Sequence, residues 1–162
     1  MKSNHIQKIE IRAAVITISS TRKPENDLSG LTIRSMLNAA GIMVNHYAIV
    51  PDRIDMIRDE LFRAMKVSNC IIFNGGTGLT HDDCTIEAIA PLFEKEIEGF
   101  GEMFRLKSLA EIGTSSMLSR ATAGISHGRA IFCIPGSTPA VTLATKELII
   151  PEIAHILSHS KR

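Results

Sequence analysis

Apolar and polar positions along this chain follow two different periods, and the switches between them mark out the elements. Ile9 to Ile18 is an almost unbroken apolar, β-branched run and predicts a first strand. The polar, breaker-rich stretch Ser19 to Asp27 predicts a loop. Ser29 then suits the N-cap of a helix with apolar positions Leu31, Ile33, Met36, Leu37 and Ala40, stopped by Gly41. Met43 to Val50 predicts a second strand. Pro51-Asp52 opens a second helix whose apolar residues, Ile54, Ile57, Leu61, Phe62 and Met65, recur at helical spacing. Cys70 to Phe73 predicts a third strand. Strand and helix alternate three times, which argues for an α/β fold with a parallel sheet and crossover helices.

The second half is less regular. Ile86 to Phe93 predicts a short helix limited by Pro91. Gly99 to Arg105 reads as a turn entering a further helix that ends near Gly113, followed by a polar connection from Thr114 to Arg120. Ala121 to Ser126 and Ala130 to Ile134 predict two strands joined by a turn at His127-Gly128-Arg129, a hairpin at an edge or corner of the sheet. After a loop from Pro135 to Pro139, one helix is predicted from about Ala140 to His159, with Val141, Leu143, Ala144, Leu148, Ile149, Ile153 and Ile156 on its apolar face.

Composition narrows the class without naming a function. The 162 residues suit one domain, 1–162, with about 1–8 as a flexible N-terminus, and contain 44% hydrophobic and 22% charged residues. A formal net charge of +1 gives no electrostatic case for nucleic acid or a membrane surface. No apolar run approaches the ~20 residues of a membrane span. The three cysteines, Cys70, Cys84 and Cys133, match neither a disulfide framework nor a zinc pattern, and a reducing, cytoplasmic setting is expected.

Candidate chemistry collects in the loops that follow strands. Gly75, Gly76 and Gly78 lie directly after the third strand, and Asp82 and Asp83 follow at once. Strand, glycine loop, carboxylates and helix is the order of an anion or nucleotide site at the C-terminal edge of a sheet. The loop at Ser19 and Ser20 and the loop at Pro135, Gly136 and Ser137 fall on the same rim of a parallel sheet, and Asp52 joins them. Such a rim offers backbone donors, hydroxyls and carboxylates but few fixed cations, so a nucleotide there would need Mg²⁺. Each residue also has a plainer reading. Asp52, Asp83 and Ser137 are all placed to cap a following helix, and Cys84 has no cation beside it to make it a nucleophile. His155 and His159 stand four apart on the last helix, but lack a metalloprotease glutamate and suit a solvated helix end. No Walker A lysine motif, G-x-G-x-x-G or G-x-S-x-G is present.

Asn74-Gly75-Gly76-Thr77-Gly78 followed by Thr80-x-x-Asp83-x-Thr85-x-Glu87 resembles the signature of the MoaB/MogA-like molybdopterin-binding domains, the family of the gephyrin G domain. Asp27-x-Ser29-Gly30, Pro51-Asp52, Gly99-Phe100-Gly101-Glu102-x-Phe104-Arg105, Leu118-Ser119-Arg120-Ala121 and Pro135-Gly136-Ser137 fit it in the family's order, so the resemblance spans nearly the whole chain. It implies a three-layer αβα sandwich with a mostly parallel central sheet, commonly a trimer. It also implies a reaction in which molybdopterin and Mg-ATP give adenylyl-molybdopterin and pyrophosphate, with the product passed to a molybdenum-insertion partner protein. On that pattern Asp52 and Asp83 are the two essential acids, holding Mg²⁺ and positioning phosphates. Gly75, Gly76, Thr77, Gly78, Thr80 and Thr85 would take phosphate or pterin, and Ser19, Ser20, Pro135, Gly136 and Ser137 would complete the substrate site. Glu102 and Arg105 are either structural or at a subunit contact.

Two positions depart from the pattern. Asp82 stands where the family often has arginine, and Ile86 where proline is common. Arginine to aspartate changes the local charge by two units beside a phosphate site, which weakens anion binding unless a metal compensates. The alternatives are a paralogue that binds molybdopterin without adenylating it, and a nucleotide pyrophosphatase related to competence-damage-type domains.

Overall fold

The computed structural model describes residues 8–161, so the N-terminus expected to be flexible lies outside the described residues except for Lys8. Six strands form one sheet in the order β2-β1-β3-β6-β5-β4. They are β1 (Arg12–Ile18), β2 (Met43–Val50), β3 (Cys70–Asn74), β4 (Lys95–Glu96), β5 (Thr122–Ser126) and β6 (Arg129–Ile134). The run β2-β1-β3-β6 is parallel, whereas β5 and β4 are antiparallel to their neighbours. The predicted hairpin is therefore the β5–β6 pair. It is not the edge, because β4 adds itself outside β5, with flanking bonds from Glu94 N to Ile125 O and from Ile97 N to Ala123 O.

Because side chains alternate across a strand, the central strands bury both faces and read as continuous apolar runs. Ala13 and Val15 of β1, Cys70 and Ile72 of β3, and Phe132 and Ile134 of β6 enter one core. It is covered by α1 (Leu28–Ala39), α4 (Glu98–Ile112), α5 (Thr138–Ala144) and α6 (Ile150–Ser160). Ala14, Ile16, Ile71, Phe73, Ile131 and Cys133 point the other way, into a core closed by α2 (Ile54–Met65) and α3 (Thr85–Ile89). The result is the expected three-layer sandwich.

Local chemistry moves several boundaries. α1 is capped by Asp27, whose Oδ1 accepts the Gly30 N–H at 3.1 Å, and not by Ser29, which lies inside the helix. Gly99 to Arg105 is already inside α4. The single C-terminal helix is two helices joined by a wider turn at Thr145–Ile149, with i→i+5 spacing. Pro151 explains the turn: it has no N–H to give to the preceding turn, and its ring would clash with a regular α-helical carbonyl there.

Candidate functional site

The C-terminal ends of β1, β3 and β6 stop side by side, with Thr17 opposite Asn74 and Asn74 opposite Ile134. Beneath the rim these ends carry a buried polar network. Asn74 Nδ2 donates to Thr17 Oγ1 at 3.0 Å, the Thr17 hydroxyl donates to Asp27 Oδ2 at 2.7 Å, and the Ser29 hydroxyl donates to Asn74 Oδ1 at 2.8 Å. Tyr47 also donates to Asp27, and Arg22 Nη1 donates to Ser29 Oγ at 2.6 Å while lying 3.6 Å from the Asp27 carboxylate. Burial pushes the Asp27 carboxyl up, but the hydrogen bonds from Tyr47, Thr17 and Gly30 and the Arg22 charge outweigh it, leaving the group below its ordinary range. A paired, ionised aspartate thus fixes the first loop from below.

Above this floor the glycine loop doubles back at positive φ, with Gly75 at 93° and Gly76 at 67°. These values favour glycine, which adopts them without a Cβ penalty. The turn is also too tight for side chains. A Cβ at Gly75 would sit 2.5 Å from Ile18 O, and one at Gly76 would sit 2.4 Å from Thr85 Oγ1 and 3.1 Å from Asp52 Oδ1. A Cβ at Gly78 would meet Asp83 Oδ2 at 2.6 Å. The two predicted carboxylates therefore bracket one glycine loop, Asp52 against Gly76 and Asp83 against Gly78.

Neither aspartate caps a helix. Arg53 holds the N-cap position of α2, and Asp52 instead accepts from the Ser20 hydroxyl at 2.9 Å. Cys84 holds the N-cap position of α3, while Asp83 Oδ2 accepts from the Thr80 N–H and hydroxyl at 3.1 and 2.7 Å. Ser137 does cap α5, accepting from Ala140 N at 3.3 Å. Thr85 is fully buried, with its hydroxyl given to Gly75 O at 2.8 Å, so it holds the loop in shape from behind.

The loops enclose a cavity of about 490 Å³. Ser19, Gly75 to Gly78, Asp83, Pro135 and Gly136 line it; the predicted Asp52, Ser20, Thr80, Thr85 and Ser137 are not among the lining residues. The expectation of few fixed cations needs correction, because Arg22 and Arg120 both line the cavity. Arg120 donates from Nε to Thr77 O at 2.8 Å and grips Glu87 with both terminal nitrogens, at 3.0 and 2.7 Å. Arg22 and Arg120 come from loops far apart in the chain, and no local signal joins them to the glycines; only Arg120 was legible, as part of the Leu118–Ala121 piece of the family resemblance. Asp82 is exposed and outside the lining.

Other candidates fall away from this site. Burial, then the charges of Asp52, Glu87, Asp83 and Asp82, push the Cys84 thiol up, which leaves it a poor nucleophile. Arg105 reaches back to the carbonyls of Ser119 and Ala121 at 3.4 and 3.5 Å and is structural, while Glu102 is exposed. The His155 and His159 rings face each other on α6, far along the chain from the rim, and no group of three or more metal-ligating side chains exists among the described residues. No helix among them is long and apolar enough to cross a membrane.

Residues 14–155 match the family described as a probable molybdopterin binding domain. The chain is 44% identical over 155 residues to molybdenum cofactor biosynthesis protein B of Bacillus subtilis, covering 94% of this chain and 91% of that protein. A crystal structure of a molybdenum cofactor biosynthesis protein B superposes with a TM-score of 0.91 at 43% identity, over 95% of this chain and 98% of the other. The tungsten cofactor synthesizing protein MoaB of Pyrococcus furiosus does so with a TM-score of 0.84 at 39% identity, over 94% and 98% of the two chains. The chain belongs to the MoaB/MogA-like molybdopterin-binding family.

Proposed function

We propose that this chain acts in molybdenum or tungsten cofactor biosynthesis by adenylylating molybdopterin. The observation that carries this reading is the pair of carboxylates, Asp52 and Asp83, bracketing a glycine loop that opens on a cavity lined by two arginines. The names of relatives that share over two fifths of its sequence agree with the pathway.

In the proposed reaction a phosphate oxygen of molybdopterin attacks the α-phosphorus of ATP. A new P–O bond forms, the bond between the α-phosphorus and its bridging oxygen breaks, and pyrophosphate leaves. Two polyanions must be brought into line, so positioning and charge neutralisation supply most of the rate. The N–H groups of residues 76 to 78 would receive phosphate oxygens, while that of Gly75 is already given to Ile134 O at 3.0 Å and holds the loop to β6. Arg22 and Arg120 line the same space, each also held by a carboxylate, Asp27 and Glu87 respectively, and would offer their remaining donors to phosphate. The donor set also fits Mg²⁺, which takes one or two carboxylates and completes its shell with water and substrate phosphate. Asp52 and Asp83 would hold it, and when bound it neutralises phosphate charge.

Self-association goes with this reading. Met103, Leu106, Leu109 and Ile112 are exposed around the solvent side of α4, and Met117 and Leu118 after it are exposed too. So many exposed apolar side chains on one helix suit burial against a partner, and a second copy of the chain, in a trimer, is the proposed one. Sedimentation showing a monomer at micromolar concentration would remove it.

The test of the reaction is pyrophosphate release with molybdopterin and Mg-ATP together, and its loss in Asp83→Asn. Asp82 favours one competing reading, a molybdopterin carrier without transfer. Tight pterin binding with no pyrophosphate release at any ATP concentration would select it.

A further inference from the structure

At the opposite end of the sheet, the segments that lead into β1, β3 and β6 enclose a second cavity, of about 560 Å³, which shares no residue with the first. Its wall is basic. Arg12, Lys66, Arg129 and Lys161 line it, and Glu10 is the one acidic lining residue among those described, with its carboxylate 3.8 Å from Arg12. Helix ends explain part of this charge, since Lys66 and Lys161 follow the last turns of α2 and α6, where cations are favoured. They do not explain Arg12 or Arg129, which belong to strands.

Arg129 is held rigidly. Nε and Nη2 donate to Met65 O at 3.1 and 2.8 Å, and Nη1 donates to His127 O at 2.6 Å. Those bonds leave two of its five N–H groups unused, and it has no carboxylate within ion-pair distance among the described residues. Taking up Met65 O also covers a carbonyl at the negative end of α2 that would otherwise repel an anion. Beside it, Ser68 is only 3% exposed and lines the same cavity, yet its Oγ has no hydrogen-bond partner among the described residues. Buried hydroxyls are nearly always paired. A fixed guanidinium with spare donors, an unpartnered buried hydroxyl and surplus lysines all fit one kind of occupant.

We propose that this cavity is a second anion site, for a small phosphate- or diphosphate-bearing ligand. Ser68 Oγ and the free N–H groups of Arg129 donate to it, and Arg12 and Lys66 balance its charge. It is separate from the glycine loop and would bind without competing for the substrate there.

Isothermal titration of the full-length chain with inorganic pyrophosphate, without ATP or molybdopterin, tests the site. Saturable binding is expected, with a component that Arg12→Glu or Lys66→Glu weakens about tenfold and that persists in Arg120→Glu; any pyrophosphate held at the glycine rim is the component that Arg120→Glu weakens. Ser68→Ala is expected to weaken binding about fivefold while raising the melting temperature of the free chain, because the unpaired hydroxyl is gone. Absent or unsaturable binding overturns the proposal. So does binding with no component that the two charge reversals weaken, or binding lost altogether in Arg120→Glu, which would put the anion at the rim. A Ser68→Ala chain that melts lower and binds equally well makes that hydroxyl structural and also counts against the site.

Discussion

Ser20 and Asp52 come from loops after different strands and are joined twice. The Ser20 hydroxyl donates to Asp52 Oδ2 at 2.9 Å and accepts the Asp52 N–H at 3.2 Å. One hydroxyl thereby fixes both the carboxylate and the peptide that carries it. On the proposed reaction, Ser20→Ala should slow pyrophosphate release about tenfold, because misplacement of a positioning group by even ~1 Å is costly. Both residues are near the surface, so stability should stay within ~0.5 kcal/mol of the parent. A rate equal to the parent's would show that Asp52 needs no such restraint.

The glycine loop makes a graded prediction. Gly41 has φ 78° with open space around its Cβ position, whereas Gly75 has φ 93° and Ile18 O only 2.5 Å from that position. Gly41→Ala carries backbone strain alone, about 1 kcal/mol. Gly75→Ala adds a clash with the backbone and should cost about 2–3 kcal/mol. Urea unfolding of both variants gives the comparison, and equal losses would mean that the loop can move away from β1.

Tyr47 is the sole tyrosine and the chain has no tryptophan, so its ionisation can be read directly by absorbance. Burial, then the hydrogen bond to and the charge of Asp27, push the phenol up to about 12. A raised folded value means stability that is complete below the ordinary 10.0 and lost as pH climbs toward about 12. Asp27 has the opposite sign: its folded value is lowered, so its contribution is present above the ordinary 3.8 and lost as pH falls through the folded value. Asp27→Asn should move the tyrosine midpoint down and flatten the acid limb of stability. A parent midpoint near 10 would contradict the buried Tyr47–Asp27 bond.

Glu87 and Arg120 form a two-pronged pair, and the same arginine carries Thr77 of the glycine loop. Both side chains are a third or more exposed, so the pair itself should be worth only about 0.5–1 kcal/mol. The larger effect should be on the loop. Arg120→Lys keeps the charge but loses the fork; faster amide exchange across residues 75–80 is expected, and on the proposed reaction a several-fold higher KM for ATP. Unchanged exchange would show that the loop is held by Thr85 alone.

Much of this architecture was readable from periodicity, because β1, β3 and β6 are buried on both faces and so appear as solid apolar runs. β4 was not, since two charged residues, Lys95 and Glu96, carry no strand pattern and pair only because β5 lies beside them. The glycine loop and both aspartates were visible as a local motif. Their surroundings were not: Arg22 and Arg120 reach the cavity from separate loops, and Asp27 displaced Ser29 as the cap because it also answers Thr17, Tyr47 and Arg22 across the fold.

The wide turn at Thr145–Ile149 acts as a phase shifter. At about 100° per residue, an unbroken helix carrying Val141 inward would bring Ile153 to roughly 120° away from that face. Ile153 and Leu157 are nevertheless buried in the same core as Val141, with His155 and His159 turned outward. One surplus residue in the turn accounts for that rotation, as an insertion absorbed by the helix. Deleting Lys146 would remove that surplus residue, turn the wide turn into regular α-helix and keep Ile153 within about 20° of the Val141 face.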